Sequence, residues 1–261
     1  MQRYFVTPDQ FEGNRVVLTG DDAHHAQRVM RMEPNDRFIV SDGCERAAIA
    51  AVTAAETGRV EAEIVIELPM DGEPMWSVTV AQSLPKGDKM ELVIQKGTEI
   101  GAAAFMPFQS ERMIVQYDGK KEAKRLERWS KIAKEAAEQA HRSRIPAVEQ
   151  VRTWRQLVAS ITAFDLALFC YEKEGGSGGS GLRGAAAAFR QSREAAGSGT
   201  ERANVLIVVG PEGGFTEREA AEAEAAGAVI VGLGRRILRT ETAAMVGLAC
   251  LMYESGEMGG D

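Results

Sequence analysis

Two short stretches near the C-terminus carry residue types suited to chemistry. Gly210-Pro211-Glu212-Gly213-Gly214 follows an apolar run at 205–209, and Leu238-Arg239-Thr240-Glu241-Thr242 follows a turn built on Gly232 and Gly234. Glycines in such turns leave backbone N–H and C=O groups open to a ligand. Arg239 and Glu241 stand at the mouth of an apolar helix, where charges are rarely left without a partner. One account is structural, with Thr240 as N-cap and Glu241 favoured by the positive end of the helix dipole. The other is a cleft, because two loops free of bulky side chains at neighbouring strand ends would face one space.

The helix after the first glycine turn has a clear start. Thr216 and Glu219 match the capping-box spacing, and Gly227 supplies the stop. Its free N–H groups would point into the loop at 210–215, which could hold a carboxylate or a phosphate. Neither a Walker spacing nor a Gly-x-Gly-x-x-Gly fingerprint is present in the first strand–helix unit, so a nucleoside triphosphate or nicotinamide site has little support.

The elements that must position these stretches follow from periodicity. Residues 15–18, 37–42, 46–52 and 59–67 read as strands separated by turns at Gly13-Asn14, Asp42-Gly43 and Thr57-Gly58, with one helix at 23–32, which predicts a small β-barrel. Residues 68–74 read as a linker. Strands are then expected at 76–84, 103–108, 147–151, 164–171, 205–209 and 229–231. Helices are expected at 86–100, 120–142, 153–160, 182–196, 217–226 and 241–253, the last buried on most of its surface. Strand alternating with helix means an α/β domain with a mostly parallel sheet covered on both faces. The predicted domains are 1–72 and 73–261.

With 261 residues and a net charge of -7 at pH 7, the chain lacks a generally basic coat, so any nucleic-acid contact needs a local patch. The long helix at 120–142 places Lys121, Lys124, Arg125, Arg128, Lys131 and Lys134 largely off its apolar stripe, which ordinarily means a solvated face. Arg112 before it and Arg142 and Arg144 after it add phosphate-binding capacity. Cys44, Cys170 and Cys250 are far apart and read as reduced, mostly buried thiols. No metal-ligand spacing involves His24, His25, Cys44 or His141, so no metal is expected. No apolar run has membrane-spanning length and the first residues lack a secretory pattern, which makes a cytoplasmic location the default and a membrane partner unexpected.

The two glycine-rich motifs together, Gly210 to Phe215 and then Leu233-Gly234-x-x-Ile237-Leu238-Arg239-x-Glu241-Thr242-Ala243, closely resemble the paired signature of the RsmE family, which methylates N3 of a uridine in bacterial small-subunit (16S) ribosomal RNA. Lys86, Lys96-Gly97-Thr98-Glu99-Ile100-Gly101, Pro107, Ser110-Glu111-Arg112, Glu138-Gln139, Arg142 and Pro146 are similar to the family's other blocks in order, and His25, Arg28, Val29 and Arg31 to its N-terminal helix motif. The resemblance implies a PUA-like RNA-binding barrel joined to a SPOUT methyltransferase domain whose C-terminal segment forms a trefoil knot, an exception to the rule that chains are unknotted. It further implies S-adenosylmethionine bent in the knot cleft, a homodimer, and ribosomal RNA, within the assembled small subunit, as partner.

Carried onto this chain, the resemblance assigns cofactor binding to Tyr171, Glu172, Gly210, Pro211, Glu212, Gly213, Gly214, Leu233, Gly234, Ile237, Leu238 and Thr242. RNA contacts fall to Arg28, Arg31, Lys86, Arg112 and Arg142. Because uracil N3 carries a proton at neutral pH, methyl transfer needs a base or a cation that stabilises the uracil anion. Arg239 is the candidate to polarise a uracil carbonyl or its phosphate, and Glu241 or Glu138 to orient it or accept the proton. Three positions depart from the pattern: Gly97 replaces alanine, Met113 a small hydroxyl residue, and Ala140-His141 a small polar pair. The glycine–serine run at 175–181 reads as a flexible excursion. Other readings are an RNA-binding protein without chemistry, a SPOUT methyltransferase for another RNA or atom, and an enzyme for small phosphorylated substrates anchored at the helix behind Thr216.

Overall fold

In the computed structural model, which describes residues 1–115, 119–171 and 181–258, strands come first and then alternate with helices. Two units separate by their internal contacts: Met1–Glu73 with Ala137–Ile145, and Pro74–Ala136 with Pro146–Asp261. The segment 137–145, expected in the larger domain, groups with the smaller one.

In the small unit β1 (Arg3–Phe5), β2 (Phe11–Glu12), β3 (Arg15–Thr19), β4 (Arg37–Ser41), β5 (Ala47–Glu56) and β6 (Arg59–Leu68) form a six-stranded sheet in the order β1-β4-β5-β6-β3-β2. Only β1 and β4 pair in parallel. Along β6, Val60, Ala62 and Ile64 are buried in alternation with more exposed neighbours, the period-two pattern of a sheet with one wet face. They meet Tyr4, Leu18, Phe38 and Val40 in one core around which the sheet curls. The helix expected at 23–32 begins earlier, as α1 (Gly20–His24), and widens into a π-turn over His25–Val29. Arg31 then takes φ 52°, an uncommon left-handed conformation for a side-chain-bearing residue.

Residues 68–74 are less of a linker than their composition suggests. The Glu73 side chain is buried, its carboxylate ion-paired with the equally buried side chain of Arg142. Its Oε1 also accepts from Ser143 N and Arg144 N, both at 3.0 Å. Arg3 Nη1 donates to the Arg142 carbonyl at 2.9 Å, so β1, residue 73 and the segment after residue 141 are tied together.

The larger unit contains β7 (Trp76–Ser83), α2 (Lys89–Ile100), β8 (Ala104–Gln109), α3 (Glu122–Gln139, its last residues in the small unit), β9 (Ala147–Val148), β10 (Arg152–Thr153), α4 (Trp154–Ser160), β11 (Leu166–Cys170), α5 (Leu182–Ala195), β12 (Ala203–Val209), α6 (Glu217–Ala225), β13 (Val229–Val231) and α7 (Thr240–Glu254). All its strand pairs are parallel, in the order β10-β8-β7-β12-β11-β13 with β9 on β8. Along β12, Val205, Ile207 and Val209 face a core shared with α2, α3, α5 and α7, while Leu206 and Val208 face α4 and α6. Burial on both faces explains why this strand reads as an unbroken apolar run.

The terminal helix α7 is buried along one stripe, Thr240, Ala244, Gly247, Leu248, Leu251 and Met252, rather than over most of its surface. Met245, Val246 and Ala249 are only partly covered and Tyr253 is 68% exposed. An all-apolar composition could not reveal which side would lie against the sheet. Cys44 and Cys250 are exposed and Cys170 is half-buried, so the thiols are not mostly buried as expected.

Gly97 has a packing reason that its helical cost hid. A Cβ there would lie 2.6 Å from an edge atom of the Phe105 ring, which is fully buried on β8. Gly97→Ala is therefore expected to destabilise the protein by up to about 2 kcal/mol net, an overpacking cost of about 1–3 kcal/mol less the roughly 1 kcal/mol gained in helix propensity. Chemical denaturation checks this; an unchanged or raised midpoint would show that the ring moves aside freely.

The glycine–serine run, apart from Gly181, and the cofactor candidate Glu172 lie outside the described residues. Among the described residues no helix is long and apolar enough to cross a membrane, and no group of three or more His, Cys, Asp or Glu could hold a metal ion.

Candidate active site

The strand order fixes where a cleft must form. From β7 the chain crosses to β8 on one side, whereas β12 lies on the other, so the loops leaving the C-terminal ends of β7 and β12 diverge. Such a switch point in a parallel sheet is where ligands bind. Gln82, fully buried at the end of β7, donates from Nε2 to Thr240 Oγ1 at 2.8 Å and to the Ser83 carbonyl at 2.9 Å. Thr240 Oγ1 in turn donates to the Gly210 carbonyl at 2.6 Å. One buried network thus joins β7, the glycine loop after β12 and the start of α7. The capping account therefore fails at Thr240, which is the first helical residue; Arg239 holds the N-cap position without a side-chain cap, and the Thr240 hydroxyl serves the loop instead.

The glycines of the first loop have separate reasons. A Cβ on Gly210 would press on the Phe215 ring at 3.0 Å, and one on Gly213 would meet the Arg112 carbonyl oxygen at 2.9 Å. Gly214 needs φ 65°. At Gly214, Gly232 and Gly234 nothing lies within 4 Å of an added Cβ, so there the main chain borders open space. The capping box of α6 is formed: Thr216 Oγ1 accepts from Glu219 N, and Thr216 N donates to Glu219 Oε2 at 2.8 Å. The other oxygen of Glu219, which is 1% exposed, accepts from Glu111 N at 2.8 Å. This helix start is therefore filled by the protein's own carboxylate, which weighs against an external phosphate there.

Sequence reasoning missed Lys89, at the first position of α2. Its Nζ lies 2.7 Å from Glu212 Oε1 and 3.7 Å from Glu241 Oε2, bridging the two motifs. Only its distance in the chain from both concealed it. Glu212, expected at a cofactor, is engaged by Lys89 and by Lys86 N at 3.1 Å. Glu241 Oε2 and Gln82 Oε1 are buried without a hydrogen-bond partner. Two unsatisfied acceptors at one cleft fit a bound group that carries donors. Arg239 is exposed beside them.

Burial alone would raise the Glu212 carboxyl, but hydrogen bonds from Lys89 and from backbone amides hold it below the ordinary glutamate value. The hydrogen bond to Glu212 raises Lys89, and the charge of Glu241 adds to it. Glu212's contribution to stability is complete above its unfolded value of about 4.3 and lost as pH falls through the depressed folded value. Lys89's contribution is complete below its unfolded value of about 10.4 and lost as pH rises through the raised folded value. The pair is thus intact at neutral pH. Lys89→Met is expected to flatten the fall in thermal midpoint between about pH 5 and pH 3; acid limbs that coincide for variant and parent would refute this.

A model of the RNA methyltransferase domain matches residues 72–252, and one of an RNA methyltransferase PUA domain matches residues 18–65. The chain is 40% identical over 266 residues to ribosomal RNA small subunit methyltransferase E of Bacillus subtilis, with all of both chains covered. This chain belongs to the ribosomal RNA small subunit methyltransferase E family. The crystal structure of the Neisseria gonorrhoeae member bound to S-adenosyl methionine is 31% identical, with a TM-score of 0.77 and 97% of each chain covered. A methyltransferase of Legionella pneumophila in complex with the same cofactor is 27% identical, with a TM-score of 0.80 and 96% of each chain covered.

Within the family's larger unit, the structure gathers the ends of β7, β12 and α7 with Lys86, Lys89, Arg112, Glu212, Arg239 and Glu241. Arg112 is exposed and its Nη1 donates to the Phe215 carbonyl at 3.3 Å, so it is anchored to the glycine loop. Tyr171 continues β11, its N–H donating to the Val231 carbonyl at 3.1 Å. Leu233 and Leu238 are half-buried, and Ile237 is 90% exposed. In the small unit Arg28 and Arg31 are exposed. Two candidates take other parts there. Glu138 Oε1 accepts from Phe5 N at 3.0 Å, tethering the end of α3 to β1, and Arg142 is a buried strut paired with Glu73. Both sat in matched motifs, and their sequence gave no sign of the unit to which they would fold.

Proposed function

We propose that this protein transfers the methyl group of S-adenosylmethionine to N3 of a uridine in small-subunit (16S) ribosomal RNA. The observation that carries the reading is the cleft at the switch point, where the open glycine main chain, two unsatisfied buried acceptors and an exposed arginine converge. The names of the relatives and the cofactor in the Neisseria structure support it.

Backbone groups at Gly210, Gly213, Gly214, Leu233, Gly234, Ile237 and Leu238, with Pro211, Tyr171 and Thr242 beside them, would hold the cofactor. When bound, it supplies an electrophilic methyl group. The chain's own task is to align the base and make N3 nucleophilic. Arg239 polarises a uracil carbonyl, favouring the N3 anion, and Glu241 takes the N3 proton at Oε2, which accepts no hydrogen bond. Lys89, beside that oxygen, positions the carboxylate. Arg28 and Arg31 on the small unit and Lys86 and Arg112 on the larger one contact RNA, which must offset the few kcal/mol that flipping the base costs.

A homodimer and a trefoil knot belong to the same reading. The partly covered apolar residues Met245, Val246 and Ala249 with the exposed Tyr253 on α7 support a second copy, since such a contiguous patch marks an interface. In the knot the C-terminal segment would thread through a loop of the larger unit. The assembled small subunit is the substrate form, met in the cytoplasm. Transfer of labelled methyl to small subunits that lack the modification, followed by nucleoside mass analysis, tests the reading. The expected product is 3-methyluridine; label in another nucleoside, or none, overturns it.

A further inference from the structure

Beside the cleft, still within the larger unit, lies a cavity of about 560 Å³, a volume within the roughly 300–1,000 Å³ of ligand pockets. Its floor is apolar: Leu84, Met90 and Trp129 are buried to 3%, 2% and 6% exposure. One wall is the turn through Pro85, Gly87 and Asp88 that joins β7 to α2. The backbone of this same turn is fastened to the glycine loop through Lys86 N and Glu212. The opposite wall is the first half of α3 with the 3-10 turn before it (Gly119–Lys121): the turn presents Lys121 and the helix Lys124, Arg125 and Arg128.

Lys124, Arg125 and Arg128 stand at i, i+1 and i+4 of α3 with Lys121 in the turn just before, so the four form a row of about 10 Å along this wall. Arg128 is committed to Glu91, with Nη2 2.7 Å from Oε2. Among the described residues that line the cavity, Asp88 is the other acid beside Lys121, Lys124 and Arg125. A solvated helix face interleaves its charges and needs no cavity, whereas here the cations line one. A row this long is poorly matched to a single anion, which is better bound by convergent donors. It matches a chain of phosphates, where each cation neutralises one and releases its counterion.

We propose that this cavity is a groove for a single-stranded segment of the substrate RNA, its phosphodiesters held by Lys121, Lys124 and Arg125. The inference rests on the proposed function, because the turn at 85–88 has the cleft on one side and the groove on the other. A strand leaving the target base over that turn enters the groove. It adds RNA contacts that no sequence motif indicated, on a helix whose charges looked like an ordinary wet surface.

The test compares the full-length protein with the K121E/K124E/R125E variant, and with an R155E/R183E/R202E variant that changes net charge equally at exposed sites elsewhere in the same unit. Affinity for a single-stranded RNA oligonucleotide spanning the methylated nucleotide is measured against salt, alongside S-adenosylmethionine binding and methyl transfer to small subunits. At about 0.7 per phosphate on single strands, loss of three contacts is expected to lower the salt slope by about 2. KM for the small subunit is expected to rise at least tenfold with kcat and cofactor affinity unchanged, and the control variant is expected to behave as the parent. Equal losses in both variants, or a parental slope in the first, overturn the groove. If the parent binds the oligonucleotide with the full slope but transfers no methyl, the proposed chemistry fails while the slope still decides the groove.

Discussion

Arg239→Ala is expected to lower the rate of methyl transfer to small ribosomal subunits by about 10²–10³-fold, the effect of removing one preorganised donor from a developing anion. The expectation follows from its position. Arg239 is exposed at the N-cap of α7, one residue before Thr240, whose hydroxyl is fixed to the Gly210 carbonyl at 2.6 Å. Glu241, one residue further on, is fixed near Lys89. The backbone that carries the guanidinium is thus held on both sides, so truncation removes a charge without releasing the loop. Cofactor affinity should be nearly unchanged, because the glycine main chain does not depend on this side chain. Arg239→Lys should recover only part of the rate, since an ammonium lacks the planar fork of a guanidinium. Full turnover by the alanine variant would remove Arg239 from the mechanism; equal loss of cofactor binding would make it a structural residue of the loop.

The second large effect is on stability. Glu73→Gln is expected to destabilise the small unit by about 3–5 kcal/mol, the cost of removing one charge from a buried ion pair. Side chains of Glu73 and Arg142 are each 7% exposed, and Arg3, 8% exposed, has the Arg142 carbonyl and the nearby charge of Glu73 to offset its burial. By contrast, the Arg46–Glu67 pair is 32% and 56% exposed, and breaking it should cost no more than about 1 kcal/mol. Amide hydrogen exchange separates the two cases. Glu73→Gln should lose protection in β1, β4 and the segment 141–145 while β7 and β12 keep theirs, and Glu67→Gln should change little. Parental protection in the Glu73 variant would show that water reaches the pair.

Local pattern was enough for much of this protein. The apolar run at 205–209, the capping box Thr216–Glu219 and the glycines at 210, 213, 214, 232 and 234 all lie within a few residues of the feature they specify, so their meaning survives in one dimension. The order of strands and helices likewise follows from periods of two and 3.6, and it implied a parallel sheet before any coordinate was known. The two C-terminal motifs are also short and contiguous, which is why the family could be read from them.

What required the tertiary structure was every partnership made across the chain. Lys89 reaches Glu212 and Glu241, more than 120 residues away, because β7 and β12 pair side by side, which sets α2 beside the glycine loop, and α7 packs back against α2, β7 and β12 although β13 before it lies two strands from β12. Gln82, an ordinary strand residue by pattern, ties β7 to the glycine loop and to the start of α7 for the same reason. Glu138 and Arg142 belong to motifs shared with the family, yet their side chains close contacts of the small unit, since Ala137–Ile145 packs with β1 and Glu73 rather than with its sequence neighbours. Gly97 looked like a weak point of a helix until Phe105 was found against it. Propensity and capping act through bonds a few residues long, whereas burial, ion pairing and close packing depend on which distant segments the fold brings within a few ångströms.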